Sequence, residues 1–159
     1  MKNAIKSLII WVTLCLGTTA YSQLYTENNP GNLPDDFTPI NAQVFQEPFD
    51  NNYIFFAYMR AWNIYPELTP YLIIADNYGT PVFYKRFEND VMDFKLQPNG
   101  MLSYHDDGLK KHLLMDSTYT VTDTISFIGN PIDFHDFQIL NNGNYLLLGV
   151  DLRLVDMDT

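Results

Sequence analysis

From Tyr53 onward, short apolar runs alternate with polar clusters at a spacing that fits strands and leaves no room for helices. YIFFAYM (Tyr53 to Met59), YLIIAD (Tyr71 to Asp76), PVFYKRF (Pro81 to Phe87), DFKLQ (Asp93 to Gln97), MLSYH (Met101 to His105), HLLMD (His112 to Asp116), TVTDTISF (Thr120 to Phe127), DFQIL (Asp136 to Leu140) and NYLLLGV (Asn144 to Val150) are each one strand long. Asn77-Tyr78-Gly79, Asn99-Gly100, Asp107-Gly108 and Asn142-Gly143 fall between consecutive runs. Asn-Gly and Asp-Gly supply the positive φ angles of a two-residue hairpin turn. The pattern predicts an all-β antiparallel meander.

Upstream the pattern breaks down. Residues 23–48 carry Pro30, Pro34, Pro39 and Pro48 with Asn28, Asn29, Gly31 and Asn32, and sustain no period of 2 or 3.6. This reads as an extended segment, either a linker or a strap docked through Leu33, Phe37, Ile40, Val44 and Phe45. Residues 1–22 read as a signal peptide: Lys2 and Lys6, the apolar run Leu8 to Leu16, then Ala20-Tyr21-Ser22 at the cleavage spacing. That run falls well short of the roughly 20 residues a membrane-crossing helix needs, so no permanent span is expected.

The meander repeats. Asp93-Phe94-Lys95-Leu96-Gln97-Pro98-Asn99-Gly100 recurs 43 positions later as Asp136-Phe137-Gln138-Ile139-Leu140-Asn141-Asn142-Gly143, and Asp76 to Phe87 corresponds to Asp116 to Phe127 at an offset of 40. A further copy opens at Leu154-Val155-Asp156. Four short strands per 40 to 45 residues is the period of a β-propeller blade. Residues 49–159 are thus expected to form about two and a half to three blades of a partial propeller, since a stable ring takes roughly four to eight. The competing expectation is a small self-contained β domain.

Composition narrows the partners. Nine Lys plus Arg against 19 Asp plus Glu give a net charge of −10, which disfavours nucleic acid. Removing the leader takes two lysines and no acid, so the mature chain is more acidic still. The one cysteine, Cys15, lies inside the leader's apolar run and fits no lipid-attachment box, leaving the mature chain without a disulfide or thiolate metal ligand. The expected location is bacterial and exported: periplasm, cell surface or medium.

Asp133-Phe134-His135-Asp136-Phe137-Gln138-Ile139-Leu140-Asn141-Asn142-Gly143-Asn144-Tyr145-Leu146-Leu147 resembles the blade motif of the aryl-sulfate sulfotransferase (arylsulfotransferase) family of secreted bacterial propellers. The runs Tyr71 to Tyr84 and Leu96 to Tyr104 are also similar to that family, and the resemblance extends over Tyr53 to Asp151. It implies a six-bladed propeller that transfers a sulfuryl group from an aryl sulfate to a phenol through a sulfated histidine, without a nucleotide donor or other cofactor. By the family pattern that histidine belongs to a later blade, and His135 matches a blade histidine of the motif.

His135 is the candidate catalytic residue, the competing reading being a hydrogen-bonded histidine at a strand start. The repeat sets it apart, because the position 43 residues earlier is Met92, whereas Asp136 and Phe137 have counterparts in Asp93 and Phe94. Those two therefore read as scaffold, the Asp bonding turn or strand-end amides. His105-Asp106-Asp107-Gly108 reads as a solvated turn, His112 as an exposed strand start beside Lys110 and Lys111, and Asp133 with Asp136 as a repeat element. Trp62, Tyr58 and Tyr65 read as packing. Asp156 and Asp158 lack the spacing and glycine of a calcium loop. The reading from another class is a non-catalytic exported propeller that binds a glycan or a protein through its strand-end loops.

Overall fold

The computed structural model describes residues 33–46, 50–129 and 131–155. The leader, the stretch up to residue 32, Asp156 and Asp158 lie outside the described residues. Nine strands form: β1 Tyr53–Tyr58, β2 Tyr71–Asp76, β3 Pro81–Arg86, β4 Val91–Leu96, β5 Leu102–Asp106, β6 Lys111–Met115, β7 Val121–Ile125, β8 Ile132–Ile139 and β9 Tyr145–Gly149. Each matches one of the apolar runs, and there is no helix among the described residues. All pairings are antiparallel, in three sheets ordered β1-β2-β3, β4-β5-β6-β7 and β8-β9.

The sequence repeat is also a structural one. The β2–β3 pairing slips between Ile74 and Ala75, and β6–β7 slips between Leu114 and Met115, 40 positions on. Asp76 Oδ1 accepts from the Tyr78 and Thr80 amides; Asp116 Oδ1 accepts from those of Thr118 and Thr120. The first three strands thus correspond to β5, β6 and β7, and β4-β5 corresponds to β8-β9. Among the described residues, nothing in the first sheet corresponds to β4.

The hairpins differ from the expected two-residue form. In the Asn99-Gly100 turn, the Gly100 amide bonds Gln97 O and the Gln97 amide bonds Met101 O, with positive φ at Gly100 and not at Asn99. This is a three-residue loop ending in a left-handed residue, which matches the right-handed strand twist. Gly79, Tyr119 and Gly143 take the same place in their turns. In the Asp107-Gly108 turn the left-handed residue is Lys110.

The sheets stack face to face. Leu72 and Ile74 of the first meet Val91, Phe94, Leu102, Tyr104, Leu113 and Met115 of the second in an apolar seam, with Phe55, Ala57 and Phe83 at its border. Full burial of such side chains contributes about 1.5–3 kcal/mol each. Leu114 and Ile125 meet Phe137 and Ile139 in a second seam, between the second and third sheets. The far face of the first sheet is covered by residues 33–46: Phe37 packs on Tyr71, Tyr58 and Tyr84, while Asp36 accepts from the Tyr71 hydroxyl and Arg86. That segment is therefore a docked strap at least as far as Ala42, which lies against Gly79, although Phe45 stays 89% exposed.

Candidate functional site

The strands bring the chemistry-bearing residues together where β4 and β8 begin and β5 turns into β6. At β4 an extra residue bulges between Met92 and Lys95, leaving Asp93 left-handed at φ 52°. Asp tolerates that conformation better than most residues. The bulge aims the carboxylate across the second seam, where Asp93 Oδ2 accepts the Phe137 amide at 3.0 Å. Lys95 Nζ lies 2.7 Å from Asp93 Oδ1 and also donates to Asp136. Burial raises the Asp93 pKa against the pull of Lys95. Burial works against the Lys95 ammonium too, but Asp136 and Asp93 outweigh it, and Asp136 is lowered chiefly by Lys95. Asp93 is thus scaffold, as the repeat implied, and the amide it binds belongs to the next sheet.

The β8 bulge is larger, since the five steps from Ile132 to Phe137 face the two steps from Gly149 to Leu147. It pushes Asp133 to Asp136 out of the ladder. Asp133 Oδ1 then accepts the His135 amide at 2.8 Å and lies 2.7 Å from His135 Nδ1. These contacts, the amide first, hold the Asp133 carboxyl below its ordinary range. An ionised carboxylate only accepts, so Nδ1 carries a proton, and in the neutral ring the lone pair is left on Nε2. The His135 side chain is 67% exposed and leans on Phe134, which meets Trp62 edge-on at 5.3 Å.

Trp62 comes from the loop joining β1 to β2, which also holds Arg60 and Tyr65. Ala61, Trp62 and Asn63 are all left-handed, and Asp90 anchors the loop by accepting the Arg60 and Trp62 amides at 2.8 and 3.2 Å. Trp62 remains 57% exposed and Tyr65 52%.

Two expectations fail here. His112 is fully buried and His105 nearly so. Flanking lysines mark the Lys110-Lys111 edge as wet, but the next side chain along β6 points into the seam between the second and third sheets. His105 does the same from β5, while the Asp106-Asp107-Gly108 portion is a turn, Asp106 Oδ1 accepting the Gly108 and Leu109 amides. The two imidazoles meet at 4.9 Å, His112 stacks on Phe137, and His112 Nε2 bonds Asp133 O at 3.1 Å. Burial is the first cause depressing both, His105 to about 4.

Gln97 was not singled out by sequence. Its buried amide donates to Ser103 Oγ and Phe137 O and accepts from the Ile139 amide, so one side chain pairs with β8 as a strand would. Its position in the repeat, matched by Leu140, was the available signal. A hollow of about 220 Å³ lies at the opposite end, lined by Pro98, Asn99, Leu140, Asn141 and Tyr145. Among the described residues, no three His, Cys, Asp or Glu side chains gather to hold a metal ion, and no helix is long and apolar enough to cross a membrane. No protein-family model, curated protein or solved structure matches the chain.

Proposed function

We propose that residues 53–151 are blades of an exported β-propeller of the aryl-sulfate sulfotransferase kind, and that His135 handles the sulfuryl group or its acceptor. The carrying observation is the Asp133–His135 pair: a carboxylate holds Nδ1–H of an exposed ring, which leaves the lone pair of the neutral imidazole on Nε2. Of the chain's three histidines, His135 alone exposes its ring. Such an imidazole takes a proton from an incoming phenol as general base while the phenol oxygen attacks the sulfur carried by the sulfated histidine, which leaves as neutral imidazole. Sheets stacked through one repeated geometry support the propeller part of the reading. In it, the sulfated histidine of the family pattern comes from a later blade.

The test uses the full-length gene product, with 4-nitrophenyl sulfate as donor and a phenol as acceptor. The reading expects nitrophenol release, a sulfated acceptor and an acid-labile sulfohistidine, and His135→Ala should slow turnover about a hundred-fold or more. Neither nitrophenol nor adduct from a folded protein would overturn it.

A second reading has its own observation, the exposed Trp62 and Tyr65 on an anchored loop. Aromatic faces of this kind bind sugar rings or partner side chains without turnover. It expects glycan affinity that is lost in Trp62→Ala and kept in His135→Ala.

A further inference from the structure

The pair His105↔His112 occupies, register for register, the place that Ala57↔Leu72 takes in the first sheet. In the third sheet the counterpart of His105 is Leu148. The fold is therefore content with apolar side chains at this point of a sheet face, and only the second sheet places imidazoles there. Both rings are buried, and the Nδ1 atoms of both have no hydrogen-bond partner. A buried polar atom left unpaired costs stability, so the pair is not explained by packing alone.

The surroundings give it a direction. His112 Nε2 must donate to the Asp133 carbonyl, which ties β6 to the start of β8 and to the residue that orients His135. The charged groups around the pair come from each neighbouring element: Asp93 and Lys95 from β4, Asp107 and Lys110 from the β5–β6 turn, Asp133 and Asp136 from β8. Asp93 Oδ2, the nearest carboxylate, stands 3.9 Å from His112 Nδ1 and is already committed to the Phe137 amide and Lys95. Protonating either ring places an imidazolium in a dry seam beside a second imidazole, with Lys95 and Lys110 opposing it.

We propose that His105 and His112 form an acid-operated latch on the seam between the second and third sheets, closed when both rings are neutral and released, with the start of β8, when they take up protons. Both rings are pushed below the ordinary histidine value, so the unfolded or opened chain binds protons more readily than the closed seam. The latch is closed above about pH 6.5 and weakens as the pH falls from there towards the His105 value of about 4. It does not depend on the chemistry proposed for His135.

The experiment is hydrogen exchange on the full chain, between pH 7 and pH 4.5, corrected for intrinsic exchange rates. Seam opening is read at the Phe137 and Ile139 amides, with Ile73 in the first sheet as reference. Opening at the two seam amides should rise by on the order of a hundred-fold relative to Ile73. In the double variant His105→Ala with His112→Leu, which copies the first sheet, the rise should vanish. A wild-type seam no more acid-sensitive than the first sheet overturns the proposal, as does a rise that survives in the double variant, which would assign it to Asp133 and Asp136, whose carboxyls are held low in the closed seam. Should that variant not fold, His112→Gln, which keeps a donor for Asp133 O, and ring titration by NMR decide. A smaller response with both wild-type rings titrating below the ordinary histidine value supports the latch; a ring titrating at or above that value with β8 protected overturns it.

Discussion

Asp93 shows how one left-handed residue sets a relation between sheets. Its carboxylate serves an amide of the next sheet and an ammonium of its own, so deleting it strands both in a half-buried place. Asp93→Ala should cost about 2–4 kcal/mol in chemical denaturation, and Asp93→Asn, which keeps an acceptor for the Phe137 amide, clearly less. Gln97→Leu, which installs the residue found at the matching position 140, should cost about 2–3 kcal/mol, because Phe137 O and the Ile139 amide lose their partner. At this scale the sequence was least informative. His105 and His112 read as wet because their neighbours Asp106, Lys110 and Lys111 are charged, and burial across a seam is decided by residues some twenty to thirty positions away. A scaffold role for Asp93 was legible because the residue recurs as Asp136, but the strand it serves was not, and Asp136 itself pairs with the side chains of Lys95 and Gln138.

Strands were the most legible element. Alternation of apolar and polar residues is local, and Asn-Gly marks chain reversal within a few residues, so all nine runs emerged as strands. The shape of the turns was not legible, because a three-residue loop and a two-residue one draw on the same residues. The common geometry gives a direct test. Gly100 has φ 83° and nothing within 4 Å of an added Cβ, so Gly100→Ala carries only backbone strain, about 1 kcal/mol in thermal unfolding. Tyr119 occupies that same place at φ 62° and stacks on Phe83 at 3.9 Å. Tyr119→Gly alone should be nearly neutral, with strain relief offsetting the lost stack. In a Phe83→Ala background the same change should stabilise by about 1 kcal/mol.

For the whole molecule, the stacking order explains where surface chemistry concentrates. The first sheet has one face in the apolar seam and the other under the strap, whereas the third sheet turns Leu146 and Leu148 outward, each 52% exposed. A contiguous apolar face of this kind favours association even at a net charge of −10. Leu146→Lys with Leu148→Lys should lower concentration-dependent association in sedimentation velocity without lowering the melting temperature. Stacking of one sheet on the next was legible only as a period. Which side chains meet across each seam depends on bulges at Asp93 and Asp133 to Asp136 that no periodicity announces.

The side chain of Gln97 has a consequence for the assembly as a whole. The first seam is closed by greasy contacts, the second by an amide, a lysine straddling two carboxylates and a pair of imidazoles, and Leu140 denies the third sheet the means to pass the same amide onward. Sheets that share a backbone are therefore not interchangeable parts. Each joint has its own key, and a rearranged chain with the second sheet set behind the third would present a lock that no residue fits.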